Sequence, residues 1–156
     1  MKSSSSLDLK GVVFDANVLS LLAKEDHLDL LLQFFTLPRY ITPGIQSELE
    51  TGLRNGVSYL KDVLQLVDEG HLEVISPTAT EKQAMRHLPP KLGRGEVEAI
   101  AICQQRTLVF LTHDRKAANY CDRTDIACIR LRALLIAFQK ASLLTASESK
   151  KILAEG

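Results

Sequence analysis

Two short runs restrict what this chain can fold into more than any other feature: Val12-Val-Phe-Asp15 and Leu108-Val-Phe-Leu-Thr-His-Asp114. Both are apolar and rich in β-branched or aromatic residues, without polar alternation, which is the pattern of strands buried on both faces. Such strands belong to a parallel sheet covered by helices, and helical spacing does fill the chain between them. Each run ends in an acid where strand gives way to helix. In an open parallel sheet, ligands bind at the carboxyl ends of the strands, near the point where strand order reverses. If the two runs are neighbours, Asp15 and Asp114 meet there. Two adjacent carboxylates call for a compensating cation, and a divalent metal is the natural one.

The other elements follow from periodicity and punctuation. The first strand reaches back to Lys10. Helices are predicted over 16–23 and 27–35, the second capped by Asp26. A strand over 39–42 leads to Pro43, well placed to open a helix through Leu53. After a break between Gly52 and Gly56, helical spacing resumes over 57–67. A strand over 72–76 precedes a helix that starts at Pro77 and ends near Pro89-Pro90. A loop to Gly93 is followed by a long helix over about 95–106, a strand over 107–111, a helix over about 114–121 and a strand over 126–130. Two helices finish the chain, the second capped by Thr145 or Ser147. Their apolar residues Leu134, Leu135, Phe138, Leu143 and Leu144 are assigned to the core in preference to a dimer surface. The class is α/β: one domain over 10–156 with C-terminal helices within 131–156, preceded by a flexible tail over 1–9.

Composition narrows the function. The 156 residues suffice to bury one core, and Lys+Arg and Asp+Glu both number 19, giving zero formal charge. That argues against a protein holding nucleic acid by overall positive charge and leaves room for a local basic patch. No apolar run follows Met1-Lys2, and the apolar stretch 28–37 is too short for a bilayer, so no secretory signal or membrane contact is expected. Cys103, Cys121 and Cys128 lack zinc spacing and cannot all pair, which fits a reduced, cytoplasmic protein whose thiols fill core positions. No Gly-x-Gly-x-x-Gly follows the first strand, and no Gly-Lys-Ser/Thr loop is present. A phosphatase with an aspartyl nucleophile would carry a second Asp where Asn17 stands.

Two more acids sit near helix starts: Glu48, early in the helix opened by Pro43, and Glu96, in Gly93-Arg-Gly-Glu-Val-Glu-Ala-Ile-Ala. Taken singly, each acid serves equally well as a cap or a first-turn residue. The run Ala99-Ile-Ala-Ile-Cys103, however, marks a helix buried against the sheet, which sets Glu96 at the same strand ends as Asp15 and Asp114. Glu98 points to a different side of that helix, so Glu96 is preferred.

In this order, Phe-Asp15-Ala-Asn17, Ser-Glu48-Leu-Glu, Gly95-Glu96-Val-Glu-Ala-Ile-Ala and Thr112-His-Asp114, the chain resembles a PIN domain from Val12 to about Ala154. The Gly-Glu-x-Glu-Ala-Ile-Ala stretch and the helical tail are similar to the PilT N-terminus-like, VapC-related branch. The resemblance implies a PIN-like three-layer α/β/α fold and a metal-dependent endoribonuclease that hydrolyses RNA phosphodiester bonds. It further implies the toxin of a type II toxin–antitoxin pair, with an antitoxin protein as partner and a homodimer as assembly. The catalytic set it implies is Asp15, Glu48, Glu96 and Asp114.

An all-oxygen donor set without Cys or His favours Mg2+ or Mn2+ over zinc. Asp15 and Asp114 are expected as direct ligands, Glu96 as a ligand directly or through water, and Glu48 as the group that orients water or holds a second ion. Asn17 and Thr112 are expected behind them, fixing carboxylate rotamers, although local capping accounts for them equally. Lys91, Arg94, Arg115 and Lys116 flank the acids and are expected either to meet substrate phosphates or to be solvated surface. His113 is left out, since strand alternation turns it away from Asp114. Some PIN domains carry Asp where this chain has Glu96. Some also carry a further acid where Arg115 and Lys116 stand, so a second ion has fewer ligands here. The rival readings are a stand-alone RNA-processing nuclease and a non-catalytic binding module that keeps the acids for folding.

Overall fold

A computed structural model describes residues 9–154. The expected tail, apart from Leu9, and the last two residues of the chain lie outside the described residues. The strands are β1 (Val12–Phe14), β2 (Arg39–Ile41), β3 (Glu73–Val74), β4 (Val109–Thr112) and β5 (Cys128–Arg130). The helices are α1 (Ala16–Lys24), α2 (Asp29–Phe34), α3 (Pro43–Arg54), α4 (Leu60–Asp68), α5 (Ala79–Met85), α6 (Arg94–Arg106), α7 (Arg115–Thr124), α8 (Leu131–Lys140) and α9 (Ala146–Ala154). The strands form one sheet in the order β3-β2-β1-β4-β5, parallel throughout. The helices flank it, giving the expected α/β/α architecture.

The order explains the position of the acids. The chain steps outward from β1 to β3, returns to the other side of β1 as β4, and steps outward again to β5. The reversal therefore falls between β1 and β4, the two strands whose sequences demand burial on both faces. Val12, Val13 and Phe14 face Val109, Phe110 and Leu111 in register, and all six are nearly inaccessible. Phe14 begins a chain of edge-to-face rings, Phe14 to Phe35, Phe35 to Phe34 and Phe34 to Phe138, with centroids 5.4, 5.2 and 5.1 Å apart. That chain ties the strand carrying Asp15 to α8. Leu134, Leu135, Phe138 and Leu144 are buried, as their core assignment requires, while Leu143 is half-buried.

Three local expectations are corrected. Asp26 does not cap α2; it adopts φ 62° just past α1, where its N–H donates to Ala23 O and the following His27 N–H donates to Leu22 O. That left-handed exit suits a short polar residue, and α2 begins at Asp29 without a side-chain cap. Pro77 lies outside its helix, since Thr78 and Glu81 form the capping box of α5. Thr107 does not begin a strand; it closes α6 at φ 60°, and β4 starts two residues later. Thr145 does cap α9, reciprocally with Glu148.

The seating of α3 on α6 bears on the site. The Gly44 N–H donates to Glu98 Oε1 at 2.7 Å, and Arg94 Nε donates to Glu98 Oε2 at 3.2 Å. Glu98 is 4% exposed, so these bonds satisfy a buried charge. Gly95 lets the two helices approach: a Cβ there would meet Ile45 Cγ1 at 2.7 Å and the Ile45 backbone N at 3.1 Å. We expect Gly95→Ala to destabilise the fold by about 1–3 kcal/mol through this overpacking. Urea denaturation checks it, and an unchanged midpoint would show that the helices yield freely. A second long-range tie is the Arg106 guanidinium, which forks onto both oxygens of buried Glu81 at 2.7 and 2.8 Å and also donates to Ser76 O. That pairing holds the Glu81 carboxyl below its usual range.

Candidate active site

Asp15 follows directly from β1. The register that sets Phe14 against Leu111 carries Asp15 opposite Thr112, and the ladder continues as Asp15 N–H donates to Leu111 O at 2.9 Å. The side chains meet accordingly: Thr112 Oγ1 donates to Asp15 Oδ2 at 2.6 Å. Asp15 Oδ1 accepts from Ala16 N–H at 2.8 Å, so the residue also caps α1. It is 4% exposed. Burial pushes its carboxyl above the ordinary range, against the opposing bonds from Thr112, Ala16 and Glu96, and the charge of Asp114 adds to the rise.

Asp114 arrives two residues past β4. Its backbone N–H donates to Thr112 Oγ1 at 3.0 Å, while its Oδ1 accepts from Ala117 N–H at 3.0 Å and caps α7. Thr112 is thus a two-sided brace, donating to one acid and accepting from the backbone of the other. Glu96, in the first turn of α6, accepts from Gly93 N–H at 2.9 Å. Its carboxyl lies within hydrogen-bonding reach of those of Asp15 and Asp114. Burial raises it to about 8; Gly93 N–H opposes the rise, and the nearby Asp15 and Asp114 add to it. Glu96 therefore carries a proton at neutral pH. Glu48 projects from α3 as an exposed residue, yet partial loss of solvent and then the charge of Asp15 raise its carboxyl as well.

Asp15, Glu96 and Asp114 thus converge, and Glu48 stands within their electrostatic reach. Glu98 faces away, with both oxygens already engaged by Gly44 and Arg94. Asn17 Oδ1 is buried and has no hydrogen-bond partner among the described residues. A groove of about 720 Å³ opens beside Asp114, the one candidate acid in its lining, and is bordered also by Asn17 and Thr112. Arg115 borders it too, whereas Arg94 pairs with Glu98 and Lys116 is exposed outside the lining. His113 borders the same groove as Asp114, because β4 ends at Thr112 and strand alternation does not extend to it. Sequence reading passed over Lys24, Tyr59, Arg130 and Arg132, which also line this groove.

A family model for the PIN domain matches residues 11–155. The chain belongs to the PIN domain family. Solved structures agree on the PIN fold. A chain of the VapBC2 complex of Rickettsia felis, crystallised bound to a DNA fragment from its promoter, superposes with a TM-score of 0.56 at 13% identity, covering 77% of this chain and 98% of that one. A domain of a functionally unknown Methanocaldococcus jannaschii protein superposes with a TM-score of 0.50 at 17% identity, covering 78% and 90%. No curated protein matches the sequence. Among the described residues no helix is long and apolar enough to cross a membrane. Cys103 and Cys121 are buried and Cys128 half-buried, all as free thiols.

The residues of this PIN domain can be tested against the metal the family resemblance implies. Among the described residues, no three acid, imidazole or thiol groups stand ready as a metal shell. The donors nevertheless suit a hard divalent ion. They are all oxygen, burial and then the charges of Asp15 and Asp114 raise the Glu96 carboxyl, and the orphaned Asn17 Oδ1 is an acceptor for water that such an ion carries.

Proposed function

We propose that this PIN domain is a divalent-metal-dependent endoribonuclease and acts as the toxin of a toxin–antitoxin pair. The observation that carries the reading is the convergence of Asp15, Glu96 and Asp114 at the β1/β4 reversal, with Thr112 bracing two of them. Asp15, Asp114 and Glu96 would hold Mg2+ or Mn2+. When bound, such an ion polarises the phosphodiester and makes water acidic enough to attack near neutral pH. Thr112 fixes the Asp15 rotamer, so one carboxylate oxygen keeps its direction while substrate enters. Glu48, with its raised carboxyl, stands at the rim to orient the attacking water and take its proton. Asn17 Oδ1 holds a water in the site. Arg115 supplies positive charge next to Asp114, where a phosphate would lie.

The pairing with an antitoxin is supported by family membership and by the likeness to a VapBC complex. A homodimer is the assembly we expect, and native mass of the co-purified protein distinguishes it from a complex with a second, small protein. The central test is cleavage of end-labelled RNA under a titration of Mg2+ or Mn2+. Cleavage that appears with the ion and stops with EDTA is expected. Cleavage indifferent to EDTA, or none at any metal concentration, overturns the reading and leaves the non-catalytic binding module.

A further inference from the structure

We propose that the groove beside Asp114 is a nucleotide subsite in which Tyr59 stacks on a base flanking the cut and Arg115 and Arg132 hold its phosphates. The proposal rests on the RNA-cleaving reading of the acid cluster and specifies how that substrate is gripped.

The groove is continuous with the candidate site, since Thr112 and Asp114 form part of its wall, and its volume of about 720 Å³ is that of a ligand cleft. Its charge is segregated. In a chain with equal numbers of acidic and basic residues, the lining carries Lys24, Arg115, Arg130 and Arg132 against the single acid Asp114. These cations come from α1, the start of α7, the end of β5 and α8, so the fold gathers them and no basic run in the sequence does. Arg130 is already oriented by Asn119 and Asp122, at 3.0 and 2.7 Å. Arg115 and Arg132 have no ion pair among the described residues and are available to an anion.

Charge alone would suit any polyanion; the aromatic residue narrows the choice. Tyr59 is the one Phe, Tyr or Trp in the lining, half-buried at the entry to α4. Its side chain has neither a hydrogen bond nor a ring partner among the described residues. By contrast, Phe14, Phe34, Phe35 and Phe138 are engaged with one another, and Tyr120 lies under Arg123. A half-buried ring that packs against the core yet has no aromatic partner, set in a cationic groove, matches the platform-and-phosphate arrangement that grips single-stranded nucleic acid.

Fluorescence anisotropy in EDTA with a labelled 12-nucleotide RNA tests this without requiring cleavage. Tyr59→Leu, which keeps apolar bulk under the helix entry, is expected to weaken binding about tenfold, and Tyr59→Phe to bind within about twofold of wild type. Arg132→Ala is expected to weaken binding to all sequences and to reduce the salt slope by about one. An oligomer of abasic sites should bind wild type and Tyr59→Leu alike. In cleavage assays Tyr59→Leu should raise KM and leave kcat near wild type. Unchanged binding by a Tyr59→Leu protein of normal melting temperature overturns the subsite, as does equal loss in Tyr59→Phe. Displacement of the RNA by polyglutamate with the same affinity in wild type and Tyr59→Leu would also overturn it and assign the groove to an acidic protein segment. RNA binding that depends on Tyr59 in a protein that cleaves nothing sinks the nuclease reading alone. Cleavage with a Kd and KM indifferent to Tyr59 sinks the subsite alone.

Discussion

Asp15→Asn is expected to reduce metal-dependent RNA cleavage by about a thousandfold or more while leaving the fold intact. The two halves of that result have separate causes. Asp15 contributes the most enclosed carboxylate of the cluster, and an amide in its place removes the charge that would hold a cation there. The amide can nevertheless keep both native hydrogen bonds. Its oxygen accepts from Ala16 N–H as Oδ1 does now, and its NH2 donates to Thr112 Oγ1 if that hydroxyl turns around. Burial already disfavours the charged form of Asp15, so neutralising the side chain relieves a desolvation cost. The metal-free variant should therefore melt at or above the wild-type temperature, and added Mn2+ should no longer raise it. A folded variant that still cuts RNA would remove Asp15 from the chemistry. A variant that unfolds would instead give Asp15 a capping role that outweighs its charge.

The parts of this molecule that were legible in its sequence are those whose cause is local. Val12 to Phe14 and Val109 to Leu111 are buried strands as their sequences demand, and their shared register brings Asp15 opposite Thr112. The preference for Glu96 over Glu98 rests on helical spacing, and the structure engages Glu98 with Gly44 and Arg94. What was not legible is long-range or conformational. The bond from Gly44 to Glu98 spans 54 residues, and that from Arg106 to Glu81 spans 25. Neither pair carries a signal in spacing. Asp26, Thr107 and Asp125 all take positive φ at helix exits, where Gly is the usual occupant, so the boundary at Thr107 and the cap at Asp26 were misplaced. The basic groove was invisible for a third reason. Lys24, Tyr59, Arg130 and Arg132 lie far apart in the chain, and only the return of β4 beside β1 brings their elements to one edge of the acids.

The largest expected effect of solution conditions comes from the proton on Glu96. In the unfolded chain that carboxyl titrates near 4.5, and in the folded protein at about 8. Between those values the folded state holds a proton that the unfolded state has released, so raising the pH removes stability, and the full penalty stands above pH 8. Asp15 and Glu48, raised for the same reason of burial, add to the decline from its lower end. Glu81, whose carboxyl is lowered by Arg106, acts in the opposite sense: its contribution is present above about pH 4.5 and is lost as the pH falls further. The metal-free protein should therefore be most stable near pH 5 and weaken towards pH 8. Glu96 is only half-buried, so solvent screening reduces the effect to about 1–2 kcal/mol, or roughly 2–8 °C in Tm. A divalent ion competes for the place of that proton, so Mn2+ should bind more tightly, and raise Tm more, at pH 8 than at pH 6. At a hundredfold excess over Kd the stabilisation would be about 2.7 kcal/mol. Glu96→Gln removes the titrating group and should flatten the metal-free profile between pH 5 and 8 while weakening the gain from Mn2+. Thermal unfolding across that range, with EDTA and with Mn2+, decides the matter. A flat wild-type profile, or an undiminished slope in Glu96→Gln, would show that Glu96 is not the group that titrates.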